Sequence, residues 1–147
     1  MRFVFGDQVA LVPASHEDPQ APGVLKKVLL SAGAIQSGDV PMVNWSLLRP
    51  GRRFALHYHQ DMQEIFMIVS GTVEARVWSS DQCPERETDW PSGEPVVRSL
   101  GAGDLLCVDP REVHQMINVG QQDVVYLVFG VTSQQGGKTI TLQIDEQ

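Results

Sequence analysis

Apolar residues in this chain come in short runs, and Gly, Pro, Asp and Asn interrupt them before a helical face can develop. The runs fall at 9–12, 25–30, 42–48, 53–59, 64–69, 72–79, 96–100, 105–108, 114–119, 124–131 and 139–144. Many alternate apolar with polar residues, which is the period of a strand with one buried face. Between them stand groups suited to strand reversal, such as Ser70-Gly71, Gly101-Ala102-Gly103-Asp104, Asp109-Pro110-Arg111 and Gly120-Gln121-Gln122-Asp123. The pattern predicts an all-β fold, a sandwich or a barrel. With 147 residues the chain suits one domain with a sizeable core and is short for two, so a single domain over 1–147 is expected. The stretch 80–95, rich in acids, Pro and Ser, breaks the strand rhythm and reads as a long loop. Trp90 within it either covers a pocket mouth or, more simply, pins the loop to the surface.

Charge and cysteine usage narrow the class. A formal net charge of -7 argues against a nucleic-acid partner, which needs a clustered positive face. The N-terminus reaches an acid at Asp7 without an apolar core long enough for a secretion signal. The longest apolar runs, 65–69 and 124–131, fall far below membrane-spanning length. A cytoplasmic protein with no membrane partner is expected. Cys83 in a polar stretch and Cys107 in an apolar one read as a loop thiol and a core thiol, with neither disulfide nor metal-clip spacing.

One segment carries chemistry. His57 and His59 are two apart, so a strand projects both imidazoles from one face. The polar turn Gln60-Asp61-Met62 is placed to reverse the chain and bring Glu64 beside them on the neighbouring strand. His114 completes a set of three imidazoles and one carboxylate, which suits a divalent first-row metal with coordination positions left open. On the same parity Arg53 and Ala55 share the histidine face, placing Arg53 to meet an anionic substrate group. Phe66, Ile68 and Met116 supply an apolar wall, so that Arg53, Phe66 and Met116 are candidate substrate-binding residues. His16, between Ser15 and the acids Glu17 and Asp18, reads as a solvated loop histidine. Ile65, Met67 and Val69 alternate with Phe66 and Ile68, so this strand is apolar on both faces and its outer face needs a cover. That cover is either the N-terminal strands or a second subunit, and a homodimer is expected.

A lone pair of alternating histidines is a weak signal, but the surrounding spacing is specific. Gly51, five residues, His57-x-His59, four residues, Glu64, six residues and Gly71 together resemble the first motif of the cupin superfamily at every position. Gly103, five residues, Asp109, then His114 and Asn118 resemble the second motif in part, since Asp109 and Arg111 occupy the usual Pro and Gly positions. Asp109-Pro110 still suits a type I turn, which needs no residue at positive φ. The resemblance covers roughly 42–131, leaving the N-terminal strands within 1–41 outside the motifs. It is closest to small single-domain, metal-binding cupins of the cupin 2 type.

The resemblance implies a double-stranded β-helix, or jelly-roll, barrel with His57, His59, Glu64 and His114 binding one metal ion near its centre, and Asn118 as a strand-end residue. The donor set, without sulfur, is compatible with Mn, Fe, Ni, Co, Cu or Zn. Two functions stay open at this point. One is a metal-dependent enzyme of dioxygenase-like or isomerase-like chemistry on a small organic molecule; the other is non-catalytic binding or sensing of such a molecule.

Overall fold

A computed structural model of the chain describes residues 3–31, 33–34, 39–133 and 137–144. The strands are β1 (Val12–Pro13), β2 (Val24–Ser31), β3 (Met42–Leu48), β4 (His57–His59), β5 (Met62–Ser70), β6 (Thr72–Trp78), β7 (Val96–Gly101), β8 (Leu105–Val108), β9 (Val113–Ile117), β10 (Val124–Thr132) and β11 (Thr139–Thr141). They form a six-stranded sheet, in the order β1-β2-β3-β10-β5-β8, and a five-stranded sheet, β11-β4-β9-β6-β7. Every strand pair is antiparallel. Two sheets of antiparallel strands, with the chain passing between them, make the jelly-roll that the resemblance implies, within the sandwich or barrel that the strand rhythm predicts.

Alternation places the core. Inward residues of both sheets, among them Val24, Leu48, Phe54, Phe66, Ile68, Val73, Met116 and Tyr126, form the cluster between the layers. A second cluster of Leu56, Tyr58, Trp78, Val113, Ile140 and Leu142 lies on the other face of the five-stranded sheet. Tyr58 and Val113 belong there by parity, because their neighbours His57, His59 and His114 point inward. The stretch 80–95 folds against this second cluster. Cys83 packs on it, Trp78 donates its indole N–H to the Gly93 carbonyl at 3.2 Å, and Gln143 N–H bonds the Glu87 carbonyl at 2.7 Å. Trp78 therefore does the pinning, while Trp90 stands half exposed beside Arg53 and Arg76 on the outer surface. Cys107 is exposed on edge strand β8 and is not the core thiol expected; only one face of that strand is covered, and Val108 takes it.

The N-terminal segment is fastened by one carboxylate. Glu17 accepts hydrogen bonds from the Gly23 N–H at 2.5 Å and the Ala55 N–H at 2.9 Å. Burial acts to raise its pKa, but the His16 ring and these two amides hold it below the ordinary value. Gly23 permits the approach, since a Cβ there would lie 1.8 Å from the Arg53 carbonyl oxygen. The same contact explains why residues 53–56 are not strand. The Ala55 N–H bonds a side chain, and Arg53 is joined to Ile117 by an isolated bridge outside the strands.

The Asp109–Glu112 turn departs from expectation. The Glu112 N–H bonds the Asp109 carbonyl at 3.1 Å, as a tight turn requires, but Arg111 has a φ of 68°, the only positive value on a non-glycine among the described residues. With proline at the second position this is type II geometry, which favours glycine at the third. The L side chain costs about 1 kcal/mol in that region. Replacing Arg111 with Gly should therefore raise stability by up to about 0.5 kcal/mol after glycine's larger unfolded-state entropy is counted. Chemical denaturation of the two proteins measures the difference, and a loss of stability would show that the guanidinium contributes more than the backbone costs.

Candidate metal centre

The histidine strands are hydrogen-bonded neighbours, with His57 of β4 directly opposite His114 of β9. His57, His59 and His114 therefore share the inner face of the five-stranded sheet. Glu64 comes from the other layer. Its strand β5 pairs with β10 and β8, not with β4, so the expected hairpin does not form. The two residues between β4 and β5 turn a corner across the sandwich instead. Asp61 holds that corner, its carbonyl accepting from the Thr132 hydroxyl at 2.9 Å and its carboxylate from the Gly137 N–H at 3.0 Å.

Glu64 Oε2 lies 3.0 Å from His59 Nε2, 3.1 Å from His114 Nε2 and 3.8 Å from His57 Nε2. All four residues are buried, and one ligand atom from each falls within 4.8 Å of the others, so the cluster can hold a metal ion. The rings are oriented from behind. His57 Nδ1 is 2.8 Å from the Ala55 carbonyl, and His114 Nδ1 is 3.0 Å from the Glu112 carbonyl. A carbonyl only accepts, so Nδ1 carries a proton and Nε2 is the ring nitrogen turned on the carboxylate. His59 Nδ1 sits 3.3 Å from the Thr139 hydroxyl.

Electrostatics favour a neutral His57 and an ionised Glu64. Burial pushes the His57 pKa well below its ordinary value, with the neighbouring His16 and His114 adding to the effect and Glu64 opposing it. For Glu64, burial acts to raise the pKa, but the imidazoles of His114, His57 and His59 gathered around Oε2 hold it well below the ordinary range. A neutral imidazole and an ionised carboxylate are the forms that bind a cation.

Beside the cluster lies a cavity of about 250 Å³, whose walls include His16, Lys26, Met42, Asn44, Ser46, Phe54, Phe66, Tyr126 and Val128. Phe66 lines it as expected. Met116 is buried in the core between the layers but does not reach the cavity, and Arg53 is exposed on the outer surface. Arg53 fails to share the histidine face because parity breaks at the irregular residues 53–56. Phe54 takes the inward position, its ring 5.2 Å from His57 and 5.9 Å from His114. His16 is not a solvated loop residue. Only 17% of its side chain is exposed, and its ring stacks on His57 at 4.3 Å, with Nε2 3.3 Å from Glu17 Oε1. No motif marked it; the acid beside it was the one available signal. Asn118 follows β9 and clasps a turn, donating to the Leu48 and Gln122 carbonyls at 2.9 and 2.8 Å, away from the cluster.

The depressed His57 pKa has a consequence for the metal-free protein. Below the ordinary imidazole value of 6.5 the unfolded chain binds a proton at His57 that the folded chain does not. Folding stability contributed by neutral His57 is thus present above that value and declines as pH falls through it, while Glu64 adds to the loss only below 4.5. Thermal denaturation of the chelator-treated protein from about pH 7 to about pH 5 should show Tm falling, with a shallower fall in His57→Gln. Equal slopes for the two proteins would contradict the assignment.

A protein-family model described as Cupin matches residues 35–146. No curated protein matches the chain by sequence. Among solved structures, a predicted oxalate decarboxylase from Thermotoga maritima superposes with a TM-score of 0.68 at 23% identity, covering 89% of this chain and 99% of that one. A Klebsiella pneumoniae protein with a double-stranded β-helix domain gives 0.62 at 20% identity, covering 97% and 92%. A sugar phosphate isomerase from a cupin superfamily, from Silicibacter pomeroyi, gives 0.64 at 17% identity, covering 90% and 76%. These likenesses concern the fold, a double-stranded β-helix. With a family match over most of its length and both motifs' histidines meeting Glu64 at one point, the chain belongs to the cupin family.

Proposed function

We propose that His57, His59, Glu64 and His114 hold one divalent first-row metal ion, from the range Mn, Fe, Co, Ni, Cu or Zn, and that the protein is an enzyme acting on a small organic molecule in the adjoining cavity. One observation carries this reading. The Ala55 and Glu112 carbonyls take Nδ1 protons of His57 and His114, so in the neutral rings the Nε2 lone pairs converge with Glu64 Oε2 on one buried space. Mutually facing acceptors without a donor or cation between them are costly, and a divalent ion answers all of them at once. When bound, such an ion supplies a Lewis acid with positions free for an oxygen function of the substrate.

The protein's own residues do the remainder. Phe54 and Phe66, with ring centroids 6.1 Å apart, give the centre an apolar wall that limits water. Tyr126 stays a neutral phenol, since burial and the Glu64 charge push its pKa up while the Ser46 hydrogen bond opposes them. The names predicted oxalate decarboxylase and sugar phosphate isomerase, borne by proteins of the same fold, support an oxygen-rich small substrate and either decarboxylating or isomerising chemistry. Free thiols at Cys83 and Cys107 suit a reducing compartment, and we place the protein in the cytoplasm, with no helix among the described residues long and apolar enough to cross a membrane.

The outer face of the six-stranded sheet favours a second copy as partner. Trp45, Leu127, Met67 and Leu105 stand opposite one another in one row, and Val43, Phe129, Ile65 and Cys107 in the next. Met67 is 41% and Leu105 51% exposed. Across β3, β10, β5 and β8 these rows bear no charge, and the charge at their β2 end, Lys27 opposite Trp45, lies over the Trp45 ring and is bonded to the Gly6 carbonyl, so the apolar part of the face can meet its own copy about a twofold axis. Sedimentation should give a dimer that Met67→Glu together with Leu105→Glu converts to monomer. A wild-type monomer at all concentrations would sink this assignment.

Metal analysis tests the centre directly. Wild-type protein dialysed against each candidate metal should retain about one ion per chain, and Glu64→Gln should weaken retention at least tenfold to about a hundredfold, the scale on which even an outer partner of a ligand matters. Absence of retained metal across the whole series would refute the proposal. Turnover lost in parallel with metal identifies the enzyme; unchanged recovery of every bound compound would reduce it to a binding protein.

A further inference from the structure

We infer that Lys26 and Asn44 form a second recognition point in the cavity, and that the molecule taken up is a small hydroxy acid, its carboxylate at Lys26 and its hydroxyl at Asn44. The inference rests on the proposed metal-dependent reading of the same cavity. Both side chains belong to inner rows of the six-stranded sheet. Lys26 stands opposite Ser46, and Ser46 opposite Tyr126. Asn44 stands opposite Val128, and Val128 opposite Phe66. Glu64 follows one row further, opposite Gly130. Successive inner rows along the sheet therefore carry the ammonium, the amide and the metal ligand.

Each group has capacity to spare. Lys26 Nζ donates to the Ser15 hydroxyl at 3.4 Å and has further N–H donors. Among the described residues lining the cavity, its side chain is the one that carries a fixed positive charge. Asn44 is 2% exposed; its Nδ2 sits 2.9 Å from the Met42 sulfur, while its Oδ1 is buried with no hydrogen-bond partner. A buried acceptor left open costs free energy that a ligand hydroxyl would recover. Charge points the same way. A divalent ion and Lys26, set against the single Glu64 carboxylate, leave the cavity positive, and an anion restores the balance. Lys26, on β2, precedes the residues matched by the family model, which begin at 35, whereas Asn44 lies within them.

The test is titration calorimetry with lactate against lactamide and mandelate against mandelamide, on protein loaded with nickel and on chelator-treated protein. At least one acid should bind wild type about tenfold more tightly than its amide, the ratio one charge-assisted hydrogen bond confers. That preference should collapse in Lys26→Met and Lys26→Gln with metal content unchanged. Propionate should bind more weakly than lactate to wild type, and Asn44→Leu should remove that difference. Equal binding of acid and amide, binding of neither acid, or a preference surviving both Lys26 variants overturns the inference. The two readings fail separately. Protein that retains metal but shows no acid preference loses the Lys26 assignment alone, and protein that retains no metal but loses its acid preference in the Lys26 variants loses the metal reading alone.

Discussion

The constraint on which the rest of this structure depends is that acceptors carried by two different sheets must occupy the same small volume. Three imidazoles come from the five-stranded layer and one carboxylate from the six-stranded layer. Neither layer contains a complete site. Glu64 lies 3.0–3.1 Å from two Nε2 atoms only because the layers pack at a fixed spacing, and that spacing is set by apolar side chains around the cluster, Phe54, Phe66 and Met116 among them. The polar centre and the hydrophobic core are consequently one object. A change in core volume near Phe66 would alter the separation of ligands whose useful geometry tolerates little error.

The N-terminal segment closes this object from outside the motif region. Glu17 ties its own loop to the backbone at Ala55, the residue whose carbonyl also accepts from His57 Nδ1. His16, held beside Glu17, then covers the His57 ring by stacking. A single residue thus bears both the fastening of the segment and the orientation of a ligand histidine. Disturbing the segment should reach the centre through Ala55 even though no N-terminal residue is among the four that converge.

How much of this was legible beforehand depended on whether the information was local. The strands at 42–48 and 105–108 agree to the residue, because alternation and flanking turn residues are properties of the segment itself. The four clustered residues were legible for a related reason: His57 and His59 share a face by parity, and spacing marked Glu64 and His114. The partner sheet of Glu64 was not, since a two-residue connection is equally compatible with a hairpin and with a corner until the Asp61 bonds to distant residues are known. Arg53 was placed inward by extending strand parity through residues whose hydrogen bonds go elsewhere. Lys26 and Asn44 enter the cavity through cross-strand pairing over long separations, and nothing in their immediate neighbours announces it, while His16 is brought in on a loop with Glu17 beside it as the one local signal.

The Asp109–Glu112 turn shows why the departure from the second motif is tolerated. Arg111 adopts a backbone conformation that glycine would accept more easily, yet the turn keeps it because both ends serve histidines. Its N–H bonds the His59 carbonyl at 2.7 Å, and the following Glu112 carbonyl faces His114 Nδ1 at 3.0 Å. The Glu112 side chain returns to the Asp109 N–H at 2.9 Å, and Asp109 accepts from Gln63 at 2.6 Å, on the strand that carries Glu64. One four-residue turn is therefore hydrogen-bonded to the strands bearing His59, Glu64 and His114. Strain at a single φ angle persists where surrounding bonds over-determine it. Here those bonds are the ones that aim the ligands, so relaxing the turn by any route that displaced its amide or carbonyl would loosen the centre while relieving the backbone.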